Sequence, residues 1–87
     1  MVRYRLTLDR QNPDHTRGLK GIVSAFVRRN NDYPTTVSMD VKHGALEFEL
    51  IPREGGKTSR ELISSLYTEI TRRNFFTGIK YKIHELG

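Results

Sequence analysis

The sequence predicts an α+β fold, a two-layer βαββαβ sandwich. Two observations carry this expectation. The apolar residues recur in the order period two, helical, period two, period two, helical, period two. Both helical stretches also open on start signals, Asn12-Pro13 for the first and Thr58-x-x-Glu61 for the second. At 87 residues the chain reads as a single domain, 1–87, near the lower end of what folds alone.

The elements follow in order. Residues 2–8 alternate, with Val2, Tyr4, Leu6 and Leu8 on one side and Arg3, Arg5 and Thr7 on the other, the pattern of a half-buried strand. Asn12 caps a helix running to about Asn30, and Pro13 suits its first turn. Leu19, Ile22, Val23, Phe26 and Val27 form its core stripe, flanked by Gly18, Gly21 and Ala25. The segment 30–34 ends it.

Residues 35–51 read as a hairpin turning at His43-Gly44. That register sets Val41 opposite Leu46, Met39 opposite Phe48 and Val37 opposite Leu50, all on one face. After the loop 52–57, the second helix places Leu62, Ile63, Leu66 and Ile70 on its core face, with Tyr67 at the edge and Arg72-Arg73 in its last turn. The segment 74–78 turns the chain. Ile79, Tyr81 and Ile83 then alternate with Lys80, Lys82 and His84 as the last strand.

Two interlocked right-handed crossovers give an antiparallel four-stranded sheet of order 4-1-3-2 with both helices on one face, the ferredoxin-like arrangement. Its open face is expected to carry Lys80, Lys82 and His84, then Arg3, Arg5 and Thr7, then Glu47 and Glu49, then Ser38 and Asp40. Arg3 and Arg5 are placed to pair with Glu47 and Glu49. No strand aromatic falls on this face. The segment HGALEFEL faintly echoes an RNA-recognition motif, but Ala45 and Glu47 stand where stacking aromatics are required, so that reading is rejected.

Composition bounds the function. The net charge of +5 favours anionic partners, or serves only solubility. Cysteine is absent, which removes disulfides and thiolate metal sites and fits a cytoplasmic location. The N-terminal stretch lacks an apolar h-region and no apolar run approaches membrane-spanning length, so neither signal peptide nor membrane association is expected.

Several segments have residues that could form a site. Gly55-Gly56-Lys57-Thr58 follows a strand and opens a helix, where glycine amides and a lysine can hold an anion. Ile51 replaces the first glycine of a phosphate loop, so a flexible turn with an N-cap is the preferred reading. His15 followed by Arg17 at a helix start resembles the phosphocarrier HPr family over that dyad alone. Gly18 stands where proline should follow, so His15 is read as an exposed loop histidine. The 3 histidines are scattered and show no metal-ligand spacing. Glu47, Glu49 and Asp40 could mimic a carboxylate pair, but neighbouring arginines would keep them ionised, the wrong state for a general acid. No enzyme, cofactor or metal is therefore expected.

The basic stripes remain. Arg17, Lys20, Arg28 and Arg29 lie on the first helix, and Arg60, Arg72 and Arg73 on the second. If the helices ran parallel, Arg28, Arg29, Arg72 and Arg73 would share one rim and concentrate positive potential. The same arginines could instead serve only the helix dipoles. With Arg3, Arg5, Lys80, Lys82 and Lys57 they point to a small non-enzymatic protein that contacts a nucleic-acid phosphate backbone without reading bases. The alternative is a protein-interaction module, a small regulator or inhibitor, that docks an acidic partner surface or forms a homodimer through its edge strand, 35–41.

Overall fold

A computed structural model of the chain describes residues 1–73 and 78–87. Its elements are β1 (Val2–Leu8), α1 (Pro13–Asn30), β2 (Ser38–Asp40), a 3-10 turn (Val41–His43), β3 (Ala45–Leu50), α2 (Ser59–Thr71) and β4 (Tyr81–Glu85). The sheet is antiparallel with order β2-β3-β1-β4, the expected ferredoxin-like topology. The expected turn at 74–78, and with it the exposure of Phe75 and Phe76, falls largely on residues 74–77, outside the described residues.

Local chemistry sets the helix starts. Asn12 Oδ1 accepts the backbone N–H groups of Asp14 and His15 at 3.0 and 3.2 Å. At α2 a full capping box forms: Thr58 Oγ1 accepts the Glu61 N–H at 3.2 Å, and Glu61 Oε1 accepts the Thr58 N–H at 3.1 Å. Each cap satisfies donors that would otherwise lack intrahelical partners. Arg72 and Arg73 lie just past the last turn of α2, not within it, with Arg72 as the C-cap.

The core lies between the helices and the sheet. Leu6, Leu46, Phe48 and Leu50 from the strands meet Leu19, Val23, Phe26 and Val27 from α1 and Leu62, Leu66 and Ile70 from α2. Fully burying such a side chain is worth about 1.5–3 kcal/mol. Tyr4 pairs directly across from Phe48, and their rings stack at 5.8 Å.

The hairpin departs from expectation. The turn is not His43-Gly44 alone; Val41–His43 winds into a 3-10 turn and Gly44 closes it at φ +60°, a left-handed conformation that favours glycine. Asp40 builds this turn by accepting the His43 N–H at 3.2 Å and meeting His43 Nδ1 at 2.6 Å. The longer loop slides the register by two, so Met39 faces Leu46 and Ser38 faces Glu47. A shift of two returns every side chain to the same face, so the apolar alternation is kept. The edge strand shortens to Ser38–Asp40, and Val41 leaves the ladder.

At the other edge, β4 begins at Tyr81, two residues later than the alternation suggests. Its outward Ile83 N–H donates to the Tyr67 hydroxyl at 3.0 Å, and the Tyr67 and Tyr81 rings stack at 5.4 Å. A side chain from α2 thus covers a strand edge that would otherwise invite pairing.

The segment joining α1 to β2 is tied to the end of β3 by Asn31, a polar residue 2% exposed. Asn31 Nδ2 donates to the Glu49 carbonyl at 2.8 Å and to Thr35 Oγ1 at 3.2 Å, while its Oδ1 accepts the Ile51 N–H at 3.0 Å. This is the fully satisfied state that a buried amide requires.

Candidate functional site

The strand directions fix where the arginines go. β1 and β2 both oppose β3, and β3 and β4 both oppose β1. Each helix therefore links two parallel strands and runs back against them, and α1 and α2 are antiparallel. The parallel arrangement needed for a single rim of Arg28, Arg29, Arg72 and Arg73 does not occur.

A different cluster forms instead. A groove of about 350 Å³ lies between the C-terminal half of α1 and the exposed side of α2, lined by Phe26, Arg29, Asn30, Lys57, Ser65, Thr68, Glu69 and Arg72. Arg29 reaches across to bond the Glu69 carboxylate. Lys57 Nζ donates to Ser65 Oγ at 3.3 Å. Arg29, Lys57 and Arg72 thus converge on one groove in which Glu69 is the only carboxylate among the described residues. Arg28 and Arg73 are exposed but stand outside that lining. Arg17 lies farther up α1, with Asp14 3.7 Å away, and Lys20 is half-buried on the next turn.

The GGKT segment has a different use from an anion cradle. Glu61 already accepts the Thr58 N–H and the Thr58 hydroxyl, so a carboxylate fills the place an anion would take. These hydrogen bonds from the Thr58 backbone and side chain also hold the Glu61 carboxyl below its ordinary value. Lys57 turns away into the groove.

On the open sheet face, Glu47 takes both arginines. Arg3 Nη2 lies 2.9 Å from its Oε1 and Arg5 Nη1 2.5 Å from its Oε2. The expected sharing with Glu49 does not occur, although Glu49 stands directly opposite Arg3 in the ladder. Tyr4 and Phe48 are buried on the core side, and Tyr81 and Met39 are half-buried against the same core. Lys80, Lys82 and His84 border a shallow cavity of about 350 Å³ with Thr7, Leu8, Asp9 and Tyr81. Burial raises the Tyr81 phenol above its ordinary value.

His15 is not a loop residue; it sits half-buried in the first turn of α1. Among the described residues no group of His, Cys, Asp or Glu side chains is arranged to hold a metal ion. No described helix is long and apolar enough to cross a membrane.

The reading of basic residues missed Glu69. Its signal was faint: one acid between Ser65 and Arg72 on the exposed side of α2, whose partner Arg29 is 40 positions away. Comparison of the chain with protein-family models, with curated proteins and with solved structures finds no match.

Proposed function

We propose that this is a small non-enzymatic binding domain whose helical face grips the phosphate backbone of a nucleic acid without reading its bases. The observation that carries the reading is the convergence of Arg29, Lys57 and Arg72 on one groove, with Glu69 its only acid among the described residues. Arginine and lysine donors grouped in this way suit phosphate oxygens. Arg28 and Arg73, exposed but outside the lining, add to the positive field. The open sheet face contributes less, because Glu47 engages both Arg3 and Arg5 and no aromatic among the described residues is offered there for stacking.

The test is a titration of fluorescein-labelled single-stranded and duplex DNA at about 50 and 200 mM salt. Micromolar or tighter binding that falls steeply with salt is expected. Lys57→Glu with Arg72→Glu is expected to weaken it strongly, while Lys80→Glu with Lys82→Glu weakens it far less. Equal affinity in the groove variant would sink the reading.

Docking on an acidic protein surface is the second reading, favoured by Tyr33, which is 56% exposed just before the short edge strand β2. It moves to the front if neither DNA form binds at low salt.

A further inference from the structure

The groove contains its own anion. Glu69 bonds Arg29, and its side chain is 29% exposed against 55% for the Arg29 side chain. Lys57 and Arg72 line the same cavity, whose volume of about 350 Å³ leaves space beside the pair. A carboxylate among arginines presents the oxygens that a phosphate would present. An ion pair this exposed is held weakly, by about 0–1 kcal/mol, so a stronger anion can displace it.

We propose that Glu69 is a built-in competitor for the phosphate this groove receives. It occupies Arg29 in the free protein and yields it to a phosphodiester oxygen on binding. This rests on the backbone-binding reading above and adds to it a residue that sets affinity and selectivity. Glu69 raises the threshold for binding by no more than its pair with Arg29 is worth, so a ligand that engages Arg29 alone gains little from displacing it. A polymer that also engages Lys57, Arg72 and the outlying arginines gains more, so the favoured occupant is a polyanion with several phosphates in series.

The same repulsion would come, more weakly, from any acid on the surface, and Glu54 supplies the control. It is exposed in the loop before α2, and Glu54→Gln changes the net charge as Glu69→Gln does. The experiment titrates labelled oligothymidylate with the wild-type chain, Glu69→Gln, Glu54→Gln and the double variant Arg29→Gln with Glu69→Gln. Each is measured at several salt concentrations, with folding checked by circular dichroism.

Glu69→Gln is expected to tighten binding about two- to fivefold. The logarithmic salt slope should stay near that of the wild type, because Arg29 meets a phosphate in both bound states. Glu54→Gln should not tighten binding, and Arg29→Gln should erase the gain. Binding by Glu69→Gln where the wild type shows none would also support the proposal. If the wild type binds and Glu69→Gln matches Glu54→Gln in affinity, the competitor role is overturned and the backbone reading stands. If no variant binds at low salt, the backbone reading itself falls and takes the proposal with it.

Discussion

The two faces of this domain carry similar residues and differ in how much of their positive charge is engaged. On the open sheet face, Arg3 and Arg5 sit across the ladder from an acidic strand, and one carboxylate, Glu47, bonds both. Strand spacing brings such partners within reach, because facing Cβ atoms lie about 4.5–5.5 Å apart; Arg5 bonds the residue that faces it, while Arg3 bonds Glu47 on the diagonal and not the facing Glu49. On the helical face, Arg29, Lys57 and Arg72 meet a single acid, Glu69. Adjacent antiparallel helices leave a groove wide enough for an external anion. Residue type alone therefore says little about which arginine is available; the spacing of the scaffold decides.

The largest expected effect tests the frame that holds the two faces in register. Asn31→Leu keeps the size of the side chain but leaves the Ile51 N–H and the Glu49 carbonyl without their partner. A stability loss of about 2–4 kcal/mol is expected in urea denaturation. Because Glu49 and Ile51 lie at the end of β3, this substitution should loosen the sheet before it alters the groove. Next is the charge reversal in the groove. Lys57→Glu with Arg72→Glu is expected to weaken DNA binding about a hundredfold at low salt, at about 1.5 kcal/mol per residue. Lys80→Glu with Lys82→Glu should cost less than a tenth of that. Equal losses would mean that net charge, not the groove, governs binding, and would erase the contrast between the faces.

A smaller change sharpens the contrast from the other side. Glu47→Gln releases Arg3 and Arg5 together. Two cross-strand pairs at about 0.2–1 kcal/mol each predict a stability loss of about 1 kcal/mol. The sheet face should then become a weak phosphate binder, with affinity for labelled DNA rising about twofold. No gain would mean that the sheet face is silent for reasons other than neutralisation.

These outcomes bear on how much of the molecule was legible in its sequence. The helix starts were legible because their signals are local: Asn12 acts on the next turn, and Thr58 and Glu61 are three residues apart. The sheet order followed from crossover handedness. The hairpin register was not legible. Alternation is blind to a slide of two residues, and the deciding contact was the Asp40 side chain with His43, which turned a two-residue loop into a longer one. The Arg29–Glu69 pair was hidden for another reason. The antiparallel course of the helices was already implied by the expected sheet, but the pair joins residues 40 positions apart, and which side chains meet across two helices is recorded in neither helix pattern. Tyr67 was placed at the edge of α2 by its spacing, but its capping of the Ile83 N–H depends on where β4 begins.

The smallest expected effect compares one acid from each layer. Asp40, at the turn beside the open sheet, has its carboxyl held below its ordinary 3.8, mainly by the hydrogen bond with the His43 side chain. Glu61, at the start of α2, lies below its ordinary 4.5, mainly through the Thr58 backbone N–H and then its hydroxyl. A carboxyl depressed on folding stabilises the native state fully above its unfolded value, and that contribution is lost as pH falls through the folded value. The wild-type chain should therefore lose stability as pH drops below about 4.5, first through Glu61 and then, below about 3.8, through Asp40. Glu61→Gln should flatten the upper part of that decline and Asp40→Asn the lower part, followed by thermal melts across the acid range. An unchanged acid slope in both variants would mean that neither carboxyl keeps its native partner in solution.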